Sequence, residues 1–360
     1  MNAKPDPPSL RILVVSMWPS AAAPERGIFV QRQVEALRRL GHEVHVAPLD
    51  DVRTGRLRTP WKYLRLAVHA WRLAHATRPQ LVHGLYLLPT GVVARWVARR
   101  HGIPYVVTAH GTDVRNTEEV ASIRKRTEPV VRDAAAVIAV SSQLAARLRV
   151  VYEGPLVHVS DMGVDTTLFV PRKPPAQGAG ATARGATRRA RYVSVGSLLP
   201  NKNHERLLRA AATLDEARLV CIGEGPERDR LEQLAGELSM QQRVAFPGRM
   251  PPADLAEYYR NVDAACLVSI DEGFGLAALE ALACGAPVVV SRTAPVAELV
   301  ADGVNGAVVD PTDIEDITRG LRIAGALPHA SAEQVRATTA GRSTDDRARE
   351  LATLLAGVLK

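Results

Sequence analysis

Short apolar runs alternate with longer amphipathic segments along the first half of the chain. From Ile28 to Leu40 the apolar residues recur at the spacing of one helical face, and Gly41 follows where a helix would end. The apolar runs between such segments are short and contiguous, which is typical of buried strands. We predict strands at 11–16, 43–47, 81–83, 105–108 and 136–140, and helices at 28–40, 62–77, 90–101 and 118–133.

The same alternation resumes in the second half. Here the pattern predicts strands at 192–195, 218–222, 244–246, 264–268 and 287–290, and helices at 203–213, 227–238, 254–260, 275–284 and 295–302. Alternation of this kind implies an α/β architecture with two doubly wound parallel sheets. Ligands of such sheets bind beyond the carboxyl ends of the strands, so we expect a site in a cleft where the two halves face each other.

The stretch from Arg172 to Arg191 interrupts the pattern. It is rich in Gly, Ala, Pro and Arg and has no apolar period, so it cannot bury enough surface to offset its ordering entropy. We interpret 172–191 as a flexible linker, although its arginines can also contact phosphates. The predicted organisation is a first domain at 1–171, a second at 192–340, and a C-terminal helix at 341–360 that can pack back on the first domain.

Composition supports two packed cores. A chain of 360 residues suits two domains, and 46% of its residues are hydrophobic while only 4% are aromatic. Cores of Leu, Val, Ile and Ala are typical of parallel sheets buried on both faces. The three cysteines are odd in number, lack metal-ligand spacing and lie in apolar runs, so we expect buried free thiols in a reducing compartment.

The net charge of +8 has three candidate explanations: a nucleic-acid partner, an anionic membrane surface, or an arginine-rich proteome. No helix-turn-helix, zinc or RNP pattern is present, so nucleic acid is not expected. The start of the chain lacks a signal-peptide pattern, and no run approaches the ~20 apolar residues of a spanning helix. We therefore expect a cytoplasmic protein, at the inner face of the membrane if a basic surface binds lipid.

One segment, 61–78, bears directly on membrane contact. Its apolar and basic residues fall on adjacent strips of a predicted helix, with Trp61, Leu64, Val68 and Trp71 beside Lys62, Arg65, Arg72 and Arg78. A basic amphipathic helix can lie on an anionic membrane. It can equally pack its apolar face on the sheet and leave its arginines in water, and on sequence alone we prefer this second interpretation.

The strongest candidate site runs from Ser269 to Pro287. A buried strand leads into a glycine turn, and a helix opens near Gly275, whose first amides lack partners within the helix and suit an anion. Gly273 and Gly275 let a phosphate approach the backbone closely. Glu272 and Glu280 stand beside this position and suit hydroxyl groups of a sugar and a ribose. The alternative is an acidic turn followed by a surface glutamate.

The segment Glu272-Gly-Phe-Gly-Leu-Ala-Ala-Leu-Glu280 resembles the Glu-x7-Glu signature of family 4 retaining glycosyltransferases. That family has the GT-B fold, two Rossmann-like domains facing across a cleft, and the resemblance extends from Gly27 to about Ala324. It implies that Glu272 faces the donor sugar and acts in catalysis. It also implies that Glu280 binds the ribose and that the diphosphate is held by the intervening amides, those of Phe274, Gly275 and Leu276.

Supporting segments of the second half follow in the family's order. Lys202 matches a lysine that pairs with the diphosphate, whereas Ser197 stands where the family has an arginine, so one positive charge is missing. A surface lysine is the alternative for Lys202. The loops containing Gly223 and Arg249 resemble those that flank the nucleobase, and they are also ordinary strand-to-helix turns. Glu298 is retained from a related motif, and we expect it to be structural.

The first half carries the remaining candidates. The resemblance places the backbone of Gly27 against the donor phosphates, and a helix-start glycine without a ligand is the alternative. His110 matches the family's active-site histidine near the transferred sugar, with Asp113 beside it on the acceptor side. A histidine that merely ends a strand is the alternative there. His83 fits an acceptor-side wall or a structural position equally well.

The resemblance implies a retaining, metal-independent hexosyltransferase that needs no cofactor. Its donor would be an NDP-sugar and its acceptor a glycan or a lipid-linked glycan, most similar to members acting on cell-surface polymers such as teichuronic acid. One alternative is a two-lobed protein that binds a nucleotide sugar without turnover. A nicotinamide-dependent oxidoreductase is disfavoured, because the turn at Gly196 lacks the Gly-x-Gly-x-x-Gly pattern.

Overall fold

The computed structural model describes residues 9–21, 23, 26–50, 58–154, 156–172 and 190–360. Within these residues the chain forms two units. Unit 1 ends at Gly163 and also includes the C-terminal residues from Gly341 onward, whereas unit 2 comprises Val164–Ala340. Each unit is built on its own parallel sheet.

The described strands are short, between three and seven residues. In chain order they are β1 (Arg11–Met17), β2 (Glu43–Leu49), β3 (Leu81–Leu85), β4 (Tyr105–Ala109), β5 (Ala136–Ala139), β6 (Val157–Val159), β7 (Arg191–Val195), β8 (Arg218–Ile222), β9 (Val244–Gly248), β10 (Ala264–Leu267), β11 (Val288–Ser291) and β12 (Gly306–Val309).

The described helices lie between these strands and after the last of them. In chain order they are α1 (Ile28–Arg39), α2 (Arg58–Thr77), α3 (Thr90–His101), α4 (Thr112–Glu119), α5 (Ala121–Arg132), α6 (Ser142–Val151), α7 (His204–Ala212), α8 (Arg228–Glu237), α9 (Pro252–Asn261), α10 (Leu276–Ala283), α11 (Ile314–Ala326), α12 (Ala332–Thr339) and α13 (Thr344–Val358).

In unit 1 the strand order is β2-β1-β3-β4-β5-β6, and all pairings between these strands are parallel. The central strand β1 pairs with β2 through Ile12 and Val44, and with β3 through Ile12 and Leu81. Its five interior residues, Ile12 to Ser16, are buried, because helices cover both faces of a parallel sheet. The order reverses between β1 and β3, so the loops that follow these two strands flank a topological switch point.

In unit 2 the strand order is β12-β11-β10-β7-β8-β9, again with parallel pairing throughout the described strands. Read from β9, the chain visits the positions as 3-2-1-4-5-6, the order of a dinucleotide-binding Rossmann sheet. One core cluster on this sheet includes Leu219 and Leu321, and a second includes Leu279 and Tyr259. The switch point lies between β7 and β10.

Two helix predictions are wrong in detail. The predicted helix at 118–133 is two helices, α4 and α5, because Val120 between them has an extended backbone. The predicted helix at 295–302 is a 3-10 helix at Pro295–Leu299 that stops at the extended residue Val300. Apolar periodicity also missed β6 and β12, since strands of three or four residues give too short a signal.

The boundary between the units lies earlier than the predicted end of the first domain at 171. Val164 and Phe169 are buried in a core cluster of unit 2, and Phe169 packs on Tyr259 with ring centroids 6.3 Å apart. The Arg260 guanidinium donates to the carbonyl oxygens of Leu168 at 2.8 Å and Val170 at 2.9 Å. These contacts attach the segment after Gly163 to unit 2. Of the predicted linker at 172–191, residues 173–189 lie outside the described part of the chain.

The C-terminal segment packs within unit 1, where α13 contacts α1. Arg342 and Arg347 approach opposite oxygens of the buried Asp161 carboxylate at 3.0 and 3.3 Å. Burial raises the pKa of Asp161, and the charge of Arg347 is the largest opposing influence. Ser343 begins α13 with a capping box closed by Asp346. The last helix is therefore anchored to the end of β6 by ion pairs.

Helix α2 does not pack as we preferred from its sequence. The apolar residues that it buries are Leu66, Ala70 and Ala74, and Lys62 of the predicted basic strip is buried as well. The predicted apolar face is exposed instead, by 66% at Trp61, 52% at Leu64, 38% at Val68 and 40% at Trp71. The preferred interpretation is therefore wrong, because a second, smaller apolar face of the same helix meets the sheet. Among the described helices, α2 included, none is both long and apolar enough to cross a membrane.

The three cysteines are free and buried, as predicted. Burial raises the pKa of the Cys221 thiol to about 12, so this thiol stays protonated near neutral pH.

We expect Phe169→Ala to destabilise unit 2 by about 3–5 kcal/mol, because it removes a buried ring and leaves a cavity beside Tyr259. Hydrogen–deuterium exchange should show faster exchange of the β10 and α9 amides than in the wild type. Val170→Ala, at a neighbouring residue that is 36% exposed, is the matched control and should change exchange little. Equal effects of the two variants would contradict the packing of this segment on unit 2.

Candidate active site

The loops that follow β7 and β10 lie side by side at the switch point of unit 2. The Ile270 N–H donates to the Asn201 carbonyl at 2.8 Å, and the Asn201 side-chain amide donates to the Asp271 carbonyl at 3.2 Å. Parallel strands bring their carboxyl ends to the same edge, so two loops distant in sequence meet there. The predicted donor site is thereby assembled from 196–203 and 268–275.

Lys202 and Glu272 are in direct contact. The Lys202 ammonium lies 2.6 Å from Oε2 of Glu272, with the two side chains 21% and 14% exposed. The Ser269 hydroxyl donates to the same oxygen at 3.3 Å. The structure thus joins the residue predicted to hold the diphosphate with the residue predicted to face the sugar. Each of the two side chains neutralises the charge of the other.

Two residues beside Lys202 were not predicted from the sequence as parts of the site. Asn203 has a left-handed backbone, with φ 60°, and its buried side-chain amide donates to the carbonyls of Val268 at 3.0 Å and Pro311 at 2.7 Å. It locks the start of α7 onto the end of β10. His204 is buried with no hydrogen-bond partner for either ring nitrogen among the described residues. Burial and then the charge of Lys202 lower the pKa of His204 to about 4.

Helix α10 starts at the carboxyl end of β10 without a side-chain cap. Gly275 precedes it with φ 108°, and a Cβ there would lie 2.7 Å from Val296 Cγ1, so only glycine fits. Phe274 and Leu276 are partly buried against the core, which leaves the backbone amides as the polar groups of this turn. Gly273 is partly exposed beside them. Such a helix start favours an anion.

Glu280 lies two turns into α10, close enough to Tyr259 of α9 for its charge to act on the phenol. Burial and then the charge of Glu280 raise the pKa of Tyr259 well above its ordinary value. The Tyr259 hydroxyl is buried without a hydrogen-bond partner in the described part of the chain. Glu280 is partly exposed, which leaves room for contact with a ligand. The ribose role stays a prediction.

The ends of β7, β8 and β9 complete this edge of the sheet. The Gly223 N–H donates to the Gly248 carbonyl at 2.9 Å, which ties the loops after β8 and β9 together. Ser197 and Arg249 are exposed there, so both predicted donor residues are accessible. Glu298 is exposed on the 3-10 helix after β11.

In unit 1, His110 lies against two aromatic rings. Its imidazole centroid is 5.1 Å from Phe29 and 4.6 Å from Tyr86, at tilted angles. Nε2 is buried and has no hydrogen-bond partner among the described residues. Burial and then the charge of His83 lower the pKa of His110 to about 3, so the ring is neutral near pH 7. Phe29 and Tyr86 were not among the predicted site residues, although both lie in segments that carried the resemblance.

Asp113 organises the loop that follows β4. One carboxylate oxygen accepts from the N–H groups of His110, Gly111 and Val114 at 3.0 to 3.1 Å. The other accepts from the Leu87 N–H at 3.1 Å. Burial raises the pKa of Asp113, and these backbone donors oppose the rise. The buried carboxylate therefore connects the loops after β3 and β4 and positions His110.

His83 and Gly27 both have clear packing reasons for their positions. His83 is buried in β3 and its Nε2 shares a hydrogen bond of 2.7 Å with the Thr108 hydroxyl. Burial lowers its pKa to about 4. Gly27 caps α1 with φ 77°, and a Cβ there would lie 2.5 Å from the Met17 carbonyl oxygen. Across the described residues, no group of three or more His, Cys, Asp or Glu side chains is arranged to hold a metal ion.

Two family descriptions match the chain. "Glycosyltransferase Family 4" matches residues 27–168, and "Glycosyl transferases group 1" matches residues 184–341. The chain belongs to the family 4 glycosyltransferases. In this glycosyltransferase the ion pair of Lys202 and Glu272 lies within the second match, and His110 and Asp113 lie within the first.

Curated relatives carry names from inositol and lipid glycosylation. The chain is 35% identical over 254 residues to the D-inositol 3-phosphate glycosyltransferase of Mycobacterium sp. (strain JLS), covering 66% of this chain and 56% of that protein. It is 30% identical over 239 residues to a GDP-mannose-dependent phosphatidylinositol monomannoside mannosyltransferase of Mycolicibacterium smegmatis, covering 62% of each. The match therefore spans less than two thirds of either relative.

Solved structures confirm the predicted fold class. The sucrose-phosphate synthase of Thermosynechococcus elongatus superposes with a TM-score of 0.73 at 22% identity, covering 97% of this chain and 96% of that one. Anabaena HepE in complex with UDP-glucose superposes with a TM-score of 0.74 at 20% identity, covering 97% and 100%. At these identities the likeness establishes the fold, which is GT-B with two Rossmann-like sheets.

The buried neutral histidines make the folded state sensitive to acid. His83, His110 and His204 have pKa values of about 4, 3 and 4 when folded, below the ordinary value of 6.5. Between pH 6.5 and 4 the unfolded chain binds protons that the folded chain does not, so stability should fall as pH falls through this window. Each such histidine contributes a slope of up to about 1.4 kcal/mol per pH unit. Denaturant unfolding at several pH values measures this slope.

His204→Leu isolates one contribution, because both ring nitrogens lack partners and leucine has a similar volume. We expect a shallower loss of stability with acid than in the wild type. Leu208→Ala, a buried position on the same helix without a titratable group, should lower stability by a similar amount at every pH. An unchanged slope in His204→Leu would show that His204 is not held neutral by burial.

Proposed function

We propose that this family 4 glycosyltransferase transfers a hexosyl group from a nucleoside diphosphate sugar to a glycan or lipid-linked acceptor, with retention of the anomeric configuration and without a metal ion or cofactor. The observation that carries this proposal is the contact of Lys202 Nζ with Glu272 Oε2 at 2.6 Å beside the uncapped start of α10. An ammonium and free helix amides suit a diphosphate, and a carboxylate suits sugar hydroxyls.

Donor binding in unit 2 would exchange the partners of this ion pair. The diphosphate takes the Lys202 ammonium and the amides of Phe274 to Leu276, since two phosphate charges outcompete one carboxylate. Glu272 keeps the hydrogen bond from Ser269 and gains the hydroxyls of the donor sugar. When the donor binds, Lys202 would therefore leave Glu272, and the freed carboxylate could accept hydrogen bonds from the sugar.

Chemistry at the anomeric carbon would proceed on one face. The bond from this carbon to the diphosphate oxygen breaks, and the acceptor oxygen bonds to the same carbon from the same side. The departing phosphate oxygen takes the acceptor proton. Lys202 and the α10 amides are already oriented toward the charge that develops on the diphosphate, which is the preorganised electrostatic stabilisation that lowers barriers. This cationic cradle would serve in place of a divalent ion.

His110 would act as a neutral hydrogen-bonding group. Its low pKa, about 3, excludes a general acid near pH 7, and its unpaired Nε2 can bond one hydroxyl of a sugar. Asp113 would hold the backbone of His110 in place through its N–H bond at 3.0 Å. We assign Asp113 and His83 positioning roles on the acceptor side. The proposed enzyme is cytoplasmic and acts in the synthesis of cell-surface glycans.

A second candidate acceptor is a phosphorylated inositol. The names of the mycobacterial relatives support it, and the net charge of +8 favours an anionic acceptor. A polymer such as teichuronic acid, suggested by the sequence pattern, competes with it. An acceptor panel with inositol phosphate, a lipid-linked glycan and an anionic polymer, followed by product analysis, separates these candidates. A protein that only binds nucleotide sugars would show no turnover with any of them.

Substitutions of the ion pair should separate donor binding from transfer. We expect Lys202→Ala to lower kcat/KM by about 10²–10³-fold and to weaken nucleotide diphosphate binding, because a charge on the leaving group is lost. Glu272→Gln should lower transfer comparably while binding the nucleotide diphosphate as tightly as the wild type or more tightly, because Lys202 loses its competing partner. Calorimetry with the donor selected from a thermal-shift screen of UDP, GDP and ADP sugars, together with turnover assays, gives both quantities.

Arg209→Ala is the matched control for this pair. Arg209 forms a 3.1 Å ion pair with Glu205 within α7 and belongs to no predicted site. Its loss should leave binding and turnover within about twofold, as expected of an exposed pair. Full transfer activity in Lys202→Ala and Glu272→Gln would overturn the proposed function.

Ser197→Arg should restore the positive charge that the family places at this position. We expect nucleotide diphosphate affinity to rise by about tenfold at low salt, the effect of one charge-assisted hydrogen bond, and the gain to shrink as salt is added. Ser197→Gln is the control of similar reach without charge. Equal affinities of the Arg and Gln variants would show that Ser197 does not face the diphosphate.

A further inference from the structure

Four large apolar side chains form a continuous exposed stripe on α2. Trp61, Leu64, Val68 and Trp71 are spaced by three, four and three residues, which places them on one face of the helix. We call these residues the α2 stripe. Isolated exposed apolar residues are ordinary on protein surfaces, whereas a contiguous set rimmed by polar groups marks an interaction site.

The α2 stripe is mostly outside the packing of unit 1, although the Trp71 ring stacks on His75 and lies 6.5 Å from the His101 ring of α3. The opposite face of the helix, with Leu66, Ala70 and Ala74, is the one buried in unit 1. α2 therefore has two apolar faces, and one of them is left in water. An open cavity of about 970 Å³ borders the stripe and is also lined by Pro48 and Leu49 at the end of β2.

The surroundings of the stripe are strongly cationic. No Asp or Glu occurs between Arg58 and Arg78, and Arg65 and Arg72 are exposed beside the stripe. The neighbouring helix α3 ends in Arg99-Arg100-His101, and the Arg100 guanidinium lies 5.3 Å from the Trp96 ring centroid. Asp50 is an exposed acidic residue of the cavity lining near the stripe.

This combination fits a planar anionic surface. α2 has twenty residues and is therefore about 30 Å long, with cations distributed along its length rather than gathered at one point. Indole rings are stable at the depth of lipid headgroups, where one edge is apolar and the other is hydrated. Arginines beside them reach phosphates while their stems stay on the apolar boundary.

We propose that α2 docks unit 1 on an anionic lipid bilayer, with the α2 stripe inserted among the headgroups and Arg65 and Arg72 on lipid phosphates. The docking surface is separate from the ion pair of Lys202 and Glu272 and does not depend on the transferase activity. It would hold the protein at the surface on which a lipid-linked molecule is presented.

The test is co-sedimentation of the full chain with vesicles of phosphatidylcholine alone and of phosphatidylcholine with phosphatidylglycerol, at low and high salt. Two double variants address the two parts of the surface: Arg65→Glu with Arg72→Glu, and Trp61→Ser with Trp71→Ser. Matched controls are Arg126→Glu with Arg336→Glu, and Val150→Ser with Leu156→Ser, at exposed positions elsewhere. Circular dichroism checks that every variant is folded.

We expect binding to the anionic vesicles that weakens with salt, accompanied by a blue shift of tryptophan emission. Each α2 variant should lower partitioning by about tenfold or more, whereas the controls keep it. The proposal is overturned if the wild type fails to sediment, if it binds neutral vesicles equally well, or if the α2 variants behave like their controls. Binding of a polyglutamate peptide without vesicle binding would also overturn it, in favour of an acidic protein partner.

Discussion

The pairing of β7 with β10 is the constraint on which the donor side depends. Tyr192 is in register with Ala264 and Ser194 with Cys266, so two segments distant in the chain end at the same edge of the sheet. This pairing brings Lys202 to 2.6 Å from Glu272 across a sequence separation of 70 residues. Asn203 and Asn201 then hold the two loops together through hydrogen bonds to main-chain carbonyls. Because these side chains bond to main-chain carbonyls at the edge of the sheet, the ion pair is positioned by the fold.

Burial determines the charge states around both candidate regions. In unit 1, His110 is neutral because it lies among aromatic rings, and Asp113 is held by backbone donors rather than by a cation. In unit 2, Glu272 neutralises the positive charge of Lys202, and burial together with the nearby Lys202 lowers the pKa of His204. The candidate region of unit 1 therefore offers neutral hydrogen-bonding groups, whereas that of unit 2 offers an ion pair whose charges can change partners. This division suits acceptor-side positioning in one unit and diphosphate chemistry in the other.

Helix α2 shows how local pattern and tertiary packing can differ. Its larger apolar face has the strongest local signal, yet the sheet is covered by the small residues Ala70 and Ala74 and by Leu66. Small residues let a helix approach a sheet closely, whereas two indoles on the same face would hold it away. The face with the two indoles is thus exposed to solvent beside Arg65 and Arg72, which carry part of the chain's excess positive charge.

Sequence pattern alone predicted ten of the twelve described strands, most of the described helices and the glycine turn before α10, because each follows from apolar spacing or from a local backbone requirement. Through the resemblance to a family it also predicted Lys202, Glu272 and His110 as site residues. It did not determine the contact between Lys202 and Glu272, the roles of Asn203, His204 and Tyr86, the split at Val120 or the orientation of α2. Those features depend on which distant elements pack together, and only the tertiary structure decided them, because periodicity describes a segment's faces without specifying which face meets the core.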